Sequence, residues 1–232
     1  MRYIENFEVK LILKGEFLFP HPFKNYPADL ESLPIIPPST TKGILRYTAE
    51  KYIKGYKDIC NCGKCEVCQI WGFMKNDRKN KEKIDLEPRL RVLEGIFIDK
   101  EEIFRIRNKI DRIEQKAIVA FEELSLKGKA VIPIIYRILF HNKEDLLKEL
   151  RLFAFFLKTI FVFQKSKIGM GNNKSIRGIE LKEVEIKDPL GNIYRIENTE
   201  NALEYKKVLD KLKENVEKYY KKAKKEYEEI IF

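Results

Sequence analysis

Four cysteines stand within nine residues, Cys60-Asn-Cys62-Gly-Lys-Cys65-Glu-Val-Cys68, and the chain has no others. Thiolates at this spacing can surround a single cation inside a tight turn, and zinc favours four thiolate or imidazole ligands in a tetrahedron. Cys60 and Cys62 are separated by one residue, so a four-thiolate set is crowded. Three of the cysteines plus a distant ligand such as His21 would also complete the shell. An iron–sulfur cluster is the chemical competitor. A closed four-ligand site has no open position for catalysis, so its expected role is to staple the loop. Cysteines bunched in one segment also argue against a disulfide framework and for a reducing, cytoplasmic compartment.

Two further segments suit phosphate. In Gly169-Met-Gly171-Asn-Asn-Lys174-Ser-Ile-Arg177-Gly178 the glycines let backbone approach an anion, and Lys174 and Arg177 supply charge. The order of a nucleotide-binding P-loop is missing. Ser39-Thr-Thr-Lys42-Gly43 with Arg46 places hydroxyls, N–H donors and cations at the start of an expected helix, where Pro38 to Thr41 also offers capping chemistry. Acid–base candidates are few. His21 and Asp29 share a proline-rich loop, and His141 follows a strand-like segment; no nucleophile–base pair stands out.

The elements that must position these residues follow from the hydrophobic pattern. Residues 7–13 read as a strand, and the prolines from Pro20 to Pro38 force an ordered loop. Ile44, Leu45, Thr48, Ala49 and Tyr52 recur at helical spacing up to about Lys54. A polar insertion, 57–91, carries the cysteines, with Trp71 and Phe73 expected to pack beneath them. Residues 91–98 read as one strand and 129–140 as a buried strand, in which Pro133 predicts an edge position or a bulge. Leu146 to Phe163 forms a second amphipathic helix, and 179–186 and 193–196 flank the Asp188–Gly191 turn. One long Lys/Glu-rich helix runs from Asn201 to Ile231. This order predicts an α+β fold: a ferredoxin-like (RRM-like) core over 1–200 with its zinc-binding insertion, plus a helical extension over 201–232.

Lys+Arg of 46 against Asp+Glu of 36 gives a net charge of +10 and calls for an acidic partner, most simply a nucleic acid backbone. The abundance of Lys and Glu also matches heat-adapted surfaces. Lys158 interrupts the longest apolar run, Phe153–Phe163, so no membrane partner is expected.

Several segments, in this order, resemble backbone subunits of type III CRISPR complexes, members of the RAMP superfamily. Ile36-Pro-Pro-Ser-Thr-Thr-Lys-Gly-Ile-Leu-Arg46 is similar to their helix-start motif, and Cys65-Glu-Val-Cys-Gln-Ile-Trp-Gly72 to their C-x-x-C-x-I-F-G element. Ile110-Asp-Arg112 with Ala117, Phe121, Glu122 and Glu123 resembles a third segment, and Gly169 to Gly178 the superfamily's glycine-rich loop. The resemblance spans roughly 7–186. It implies a palm that polymerises along a guide RNA beside other subunits and copies of itself, and that meets target RNA. Ser39, Lys42, Arg46, Gly169, Gly171, Lys174 and Arg177 would hold guide phosphates, and Arg107 and Arg112 would lie at a thumb-like hairpin. Asp29 is the nearest equivalent of an aspartate that cleaves target RNA with a divalent metal such as Mg²⁺, although its usual glycine-rich context is absent and Pro38 replaces a glycine. A repeat-processing endoribonuclease using His21 without metal is the alternative within the superfamily.

Overall fold

The computed structural model describes residues 2–19, 35–76, 83–110, 117–166 and 179–231. In chain order the elements are β1 (Tyr3–Phe19), β2 (Ile35–Ile36), α1 (Pro38–Thr48) running into a π-helical turn (Ala49–Ile53), α2 (Glu66–Trp71), β3 (Phe73–Asn76), β4 (Lys83–Leu86), β5 (Leu90–Val92), β6 (Gly95–Ile110), β7 (Ala117–Phe140), α3 (Lys143–Ser166), β8 (Glu180–Lys187), β9 (Ile193–Ile196), α4 (Ala202–Glu214) and α5 (Val216–Ile231).

Strict alternation builds the central strands. Tyr3, Phe7, Val9, Leu11 and Leu13 of β1 and Ala130, Ile132, Ile134, Tyr136, Ile138 and Phe140 of β7 are buried, at every second position. The main sheet has the order β2-β6-β7-β1-β8-β9, with β5 also paired to β7, and every neighbouring pair is antiparallel. Taking β5/β6 as the second strand, β7 as the third and β8 as the fourth, the order is 2-3-1-4. With α1 after the first strand and α3 after the third, this is the ferredoxin-like split βαβ arrangement. The α+β expectation holds.

Phe7 stacks on Phe153 of α3 with centroids 4.5 Å apart, and Tyr136 meets Phe153 and Phe156 at 4.9 and 5.4 Å. Burying each such side chain contributes about 1.5–3 kcal/mol.

Four expectations change. Pro133 lies in a central strand with no bulge, in register opposite Lys10. Its carbonyl accepts from Leu93 N–H at 2.9 Å, in the gap between β5 and β6. A residue's N–H and C=O share one strand edge, so the missing donor falls where the partner strand is already interrupted. That same gap divides the expected strand 91–98 in two. The insertion is not uniformly polar: Val67, Cys68, Ile70 and Trp71 of α2 enter the core, and Trp71 meets Phe156 edge-on at 6.4 Å. The C-terminal helix is two helices broken at Asn215, whose side-chain amide donates to the Tyr194 hydroxyl at 3.2 Å. Across the break Tyr205, Val208, Leu212, Val216, Tyr219 and Ala223 face inward and join the core of the preceding residues. Among the described residues, no helix is long and apolar enough to cross a membrane.

Candidate metal centre and nucleic-acid interface

The cysteine loop leaves the π-helical turn and ends on α2. Gly63, at φ +71°, adopts the left-handed conformation that turns the chain between Cys62 and Cys65. Cys65 is the N-cap of α2 and Cys68 lies three residues on, so both sulfurs sit at the same helix end. The four Sγ atoms lie within 4.8 Å of one another. Cys60–Cys65 is 3.5 Å, Cys60–Cys68 3.9 Å and Cys62–Cys68 4.0 Å. A tetrahedral tetrathiolate with metal–sulfur bonds of about 2.3 Å has edges of about 3.8 Å. The separations therefore fit one ion, and they far exceed a disulfide bond. A multi-iron cluster distributes its thiolates over different irons and needs a wider cage. The four thiols are enough for a four-ligand shell; His21, the alternative fourth ligand, lies outside the described residues. They can hold a single metal ion.

Charge in the loop is uneven. Backbone N–H groups of Lys64 and Cys65 donate to Cys62 Sγ at 3.4 and 3.3 Å. These bonds lower the Cys62 thiol to about 6. Burial pushes Cys60 up to about 12 and raises Cys68 as well. A central cation removes the penalty for ionising the buried sulfurs.

Helix α1 begins differently from the expectation. Its N-cap is Pro37, Pro38 is the first helical residue, and no side chain caps the end. Proline's fixed φ suits this position, which displaces the expected hydroxyl capping. Ser39 is exposed, Lys42 half-buried, and the first turn contains no acid. Burial, and then the neighbouring Arg46 charge, lower the Lys42 pKa. Among the described residues no carboxylate pairs with Lys42. Thr40 and Thr41 N–H donate to the Pro37 carbonyl, so what attracts an anion here is the dipole of an acid-free helix start together with the Lys42 charge. Thr41 is fully buried, and its hydroxyl has no partner among the described residues.

Arg46 turns inward, toward the cysteine loop. Its guanidinium bonds to Glu50, Gly72 and Cys60. Glu50 was not anticipated from sequence, although the Arg46/Glu50 spacing of four is an ion-pair signal.

Strands β6 and β7 form a hairpin that outruns the sheet. The last pair of β1, Phe19↔Leu124, is level with Phe104↔Leu124 on the other side. Beyond it, among the described residues, Arg105–Ile110 pairs only with β7, an arm of roughly 20 Å at about 3.4 Å per residue. Arg107 lies on this arm opposite Phe121. Arg112, Asp29, Gly169, Gly171, Lys174 and Arg177 lie outside the described residues.

A seven-stranded antiparallel sheet packed against α1, α3, α4 and α5, with a four-cysteine loop held against α1 through Arg46, defines an RRM-like α+β domain whose insertion can hold a metal ion. The sequence profile of the RAMP superfamily matches residues 24–231, and the chain belongs to that superfamily. No curated protein matches it. Similar solved structures include "CRISPR RNA-guided surveillance complex, pre-nicking", at 7% identity and TM-score 0.46, covering 78% of this chain and 77% of that one. Another is "Cryo-EM structure of the Type III-B Cmr-beta bound to cognate target RNA", at 14% identity and TM-score 0.45, covering 80% of this chain and 62% of that one. The fold assignment rests on strand order and the superfamily profile.

Proposed function

We propose that this protein is a guide-RNA-binding subunit of a type III CRISPR effector complex, in which it forms part of the protein backbone along the RNA. The observation that carries the reading is the start of α1. No side chain caps its end and no acid lies in its first turn, Ser39 is exposed, and Lys42 carries a charge with no carboxylate partner among the described residues. Backbone phosphate is the ligand this arrangement suits, and phosphate contacts position RNA without reading its sequence. Base pairing to target RNA would then supply specificity, as in other RNA-guided systems. Superfamily membership and the net charge of +10 support the same partner. The projecting β6–β7 arm would contact RNA or the adjoining subunit, which in a polymerised backbone is another copy of this chain. Zinc is the metal we assign to Cys60, Cys62, Cys65 and Cys68, in a structural role.

The test is equilibrium binding of a repeat-derived RNA across a salt series. Lys42→Ala weakens binding severalfold and reduces the log–log salt slope by about one. Unchanged affinity and slope would remove α1 from the RNA path.

A further inference from the structure

Arg46 is surrounded by acceptors that belong to the protein. Nε donates to Glu50 Oε1 at 3.0 Å, Nη1 to the Gly72 carbonyl at 3.1 Å and Nη2 to the Cys60 carbonyl at 2.7 Å. Cys60 and Gly72 are the entrance and exit of the cysteine loop, so one side chain closes it across its base. Glu50 completes the ring, because its Oε1 also accepts from the Cys60 N–H at 3.2 Å. Both backbone groups of a metal-ligating residue are thus held from α1 and its π-helical turn. The pair is largely withdrawn from water, with side-chain exposures of 21% for Arg46 and 4% for Glu50. A planar guanidinium can serve three divergent acceptors in fixed directions, whereas an ammonium on a flexible stem cannot. Lys54, at the end of the π-helical turn, and Glu66, in the first turn of α2, add a more exposed ion pair at 2.9 Å.

We propose that Arg46 and Glu50 are positioning residues that lock the metal loop to the first helix, so that metal occupancy and the order of that helix are coupled. Arg46 then serves RNA indirectly, by fixing the helix whose first turn faces phosphate. The inference rests on the reading of the four cysteines as zinc ligands; it does not require that the protein bind RNA. The coupling runs both ways. Removing the clamp lets Cys60 wander and weakens zinc binding, and removing zinc releases the Cys60 backbone and loosens Arg46, Glu50 and the turn that carries them.

The experiment compares full-length wild-type, Arg46→Lys, Arg46→Ala and Glu50→Gln proteins without RNA. Zinc affinity is measured by competition with a chromophoric chelator. Amide hydrogen exchange is followed with and without chelation. The clamp predicts a loss of apparent zinc affinity of about tenfold or more in Arg46→Lys, because the retained charge cannot bridge three acceptors. It also predicts that chelating wild-type protein speeds exchange over residues 46–56 as well as 60–72. If Arg46→Ala fails to fold, Arg46→Lys decides. Wild-type zinc affinity in Arg46→Lys, or faster exchange confined to 60–72, overturns the proposal. A wild-type chain that takes up no zinc sinks the metal assignment, and this inference with it, while leaving RNA binding to be judged separately.

Discussion

Gly43 offers a perturbation whose effects on stability and on binding should have opposite signs. It lies in the interior of α1, where glycine costs about 1 kcal/mol relative to alanine. Packing gives no reason for that cost, because a Cβ built at this position meets nothing within 4 Å. Gly43→Ala therefore adds helix propensity without a clash and stabilises the protein by about 1 kcal/mol. For a chain of this size that raises Tm by roughly 2–4 °C. On the proposed function, the open space along α1 is filled by RNA backbone. A methyl group there holds the phosphate away from α1 and the adjoining Lys42 ammonium, and losing one charge-assisted hydrogen bond worth about 1.5 kcal/mol weakens binding about tenfold. A thermal melt of the zinc-loaded protein and equilibrium RNA binding measure the two terms. Since the variant is more stable, weaker binding cannot come from unfolding. A raised Tm with unchanged RNA affinity would refute RNA approach at Gly43, and a lowered Tm would refute the packing argument itself.

Other outcomes follow from single contacts. Buried Asp188 accepts from Leu190 N, Asn192 N, Asn192 Nδ2, Tyr194 OH and Tyr219 OH at 2.8–3.1 Å. Asp188→Ala should cost about 3 kcal/mol or more in urea unfolding, and Tyr219→Phe only about 1 kcal/mol. Elemental analysis should find one zinc per chain, and chelation should lower Tm and expose the thiols to a thiol reagent. Burial raises the Glu5 carboxyl above its ordinary value of 4.5, with the Lys222 hydrogen bond only partly offsetting it. A raised folded-state pKa means that the stability this group contributes is present below the ordinary value and lost as pH rises through the raised one. The urea midpoint of Glu5→Gln relative to wild type should therefore move in the variant's favour from about pH 4.5 upward; a pH-independent difference would contradict the shift.

The sheet was legible because its central strands alternate cleanly, and the helices because Leu146 to Phe163 and residues 44–52 keep helical spacing. The cysteine set was legible from local spacing alone. Pro133 misled because a missing donor marks a pairing gap without saying whether the gap lies at a sheet edge or, as here, opposite the β5–β6 break. The tail read as one continuous helix because its apolar stripe of Val208, Leu212, Val216 and Tyr219 runs through Asn215 without interruption, and the break shows only in the bond from Asn215 to Tyr194. Arg46 shows the limit most clearly. Its charge and its place in a phosphate-type motif suggested a ligand contact, yet the Cys60 and Gly72 carbonyls that take its donors are 14 and 26 residues away. No local pattern encodes that meeting.

The central claim is tested most directly by expressing the chain with its natural RNA pool, purifying it and sequencing the RNA that co-purifies. The account predicts repeat-derived guides of ordered length, depleted in Lys42→Ala. A protein that comes out free of RNA, or carrying unrelated transcripts in proportion to their abundance, would contradict it.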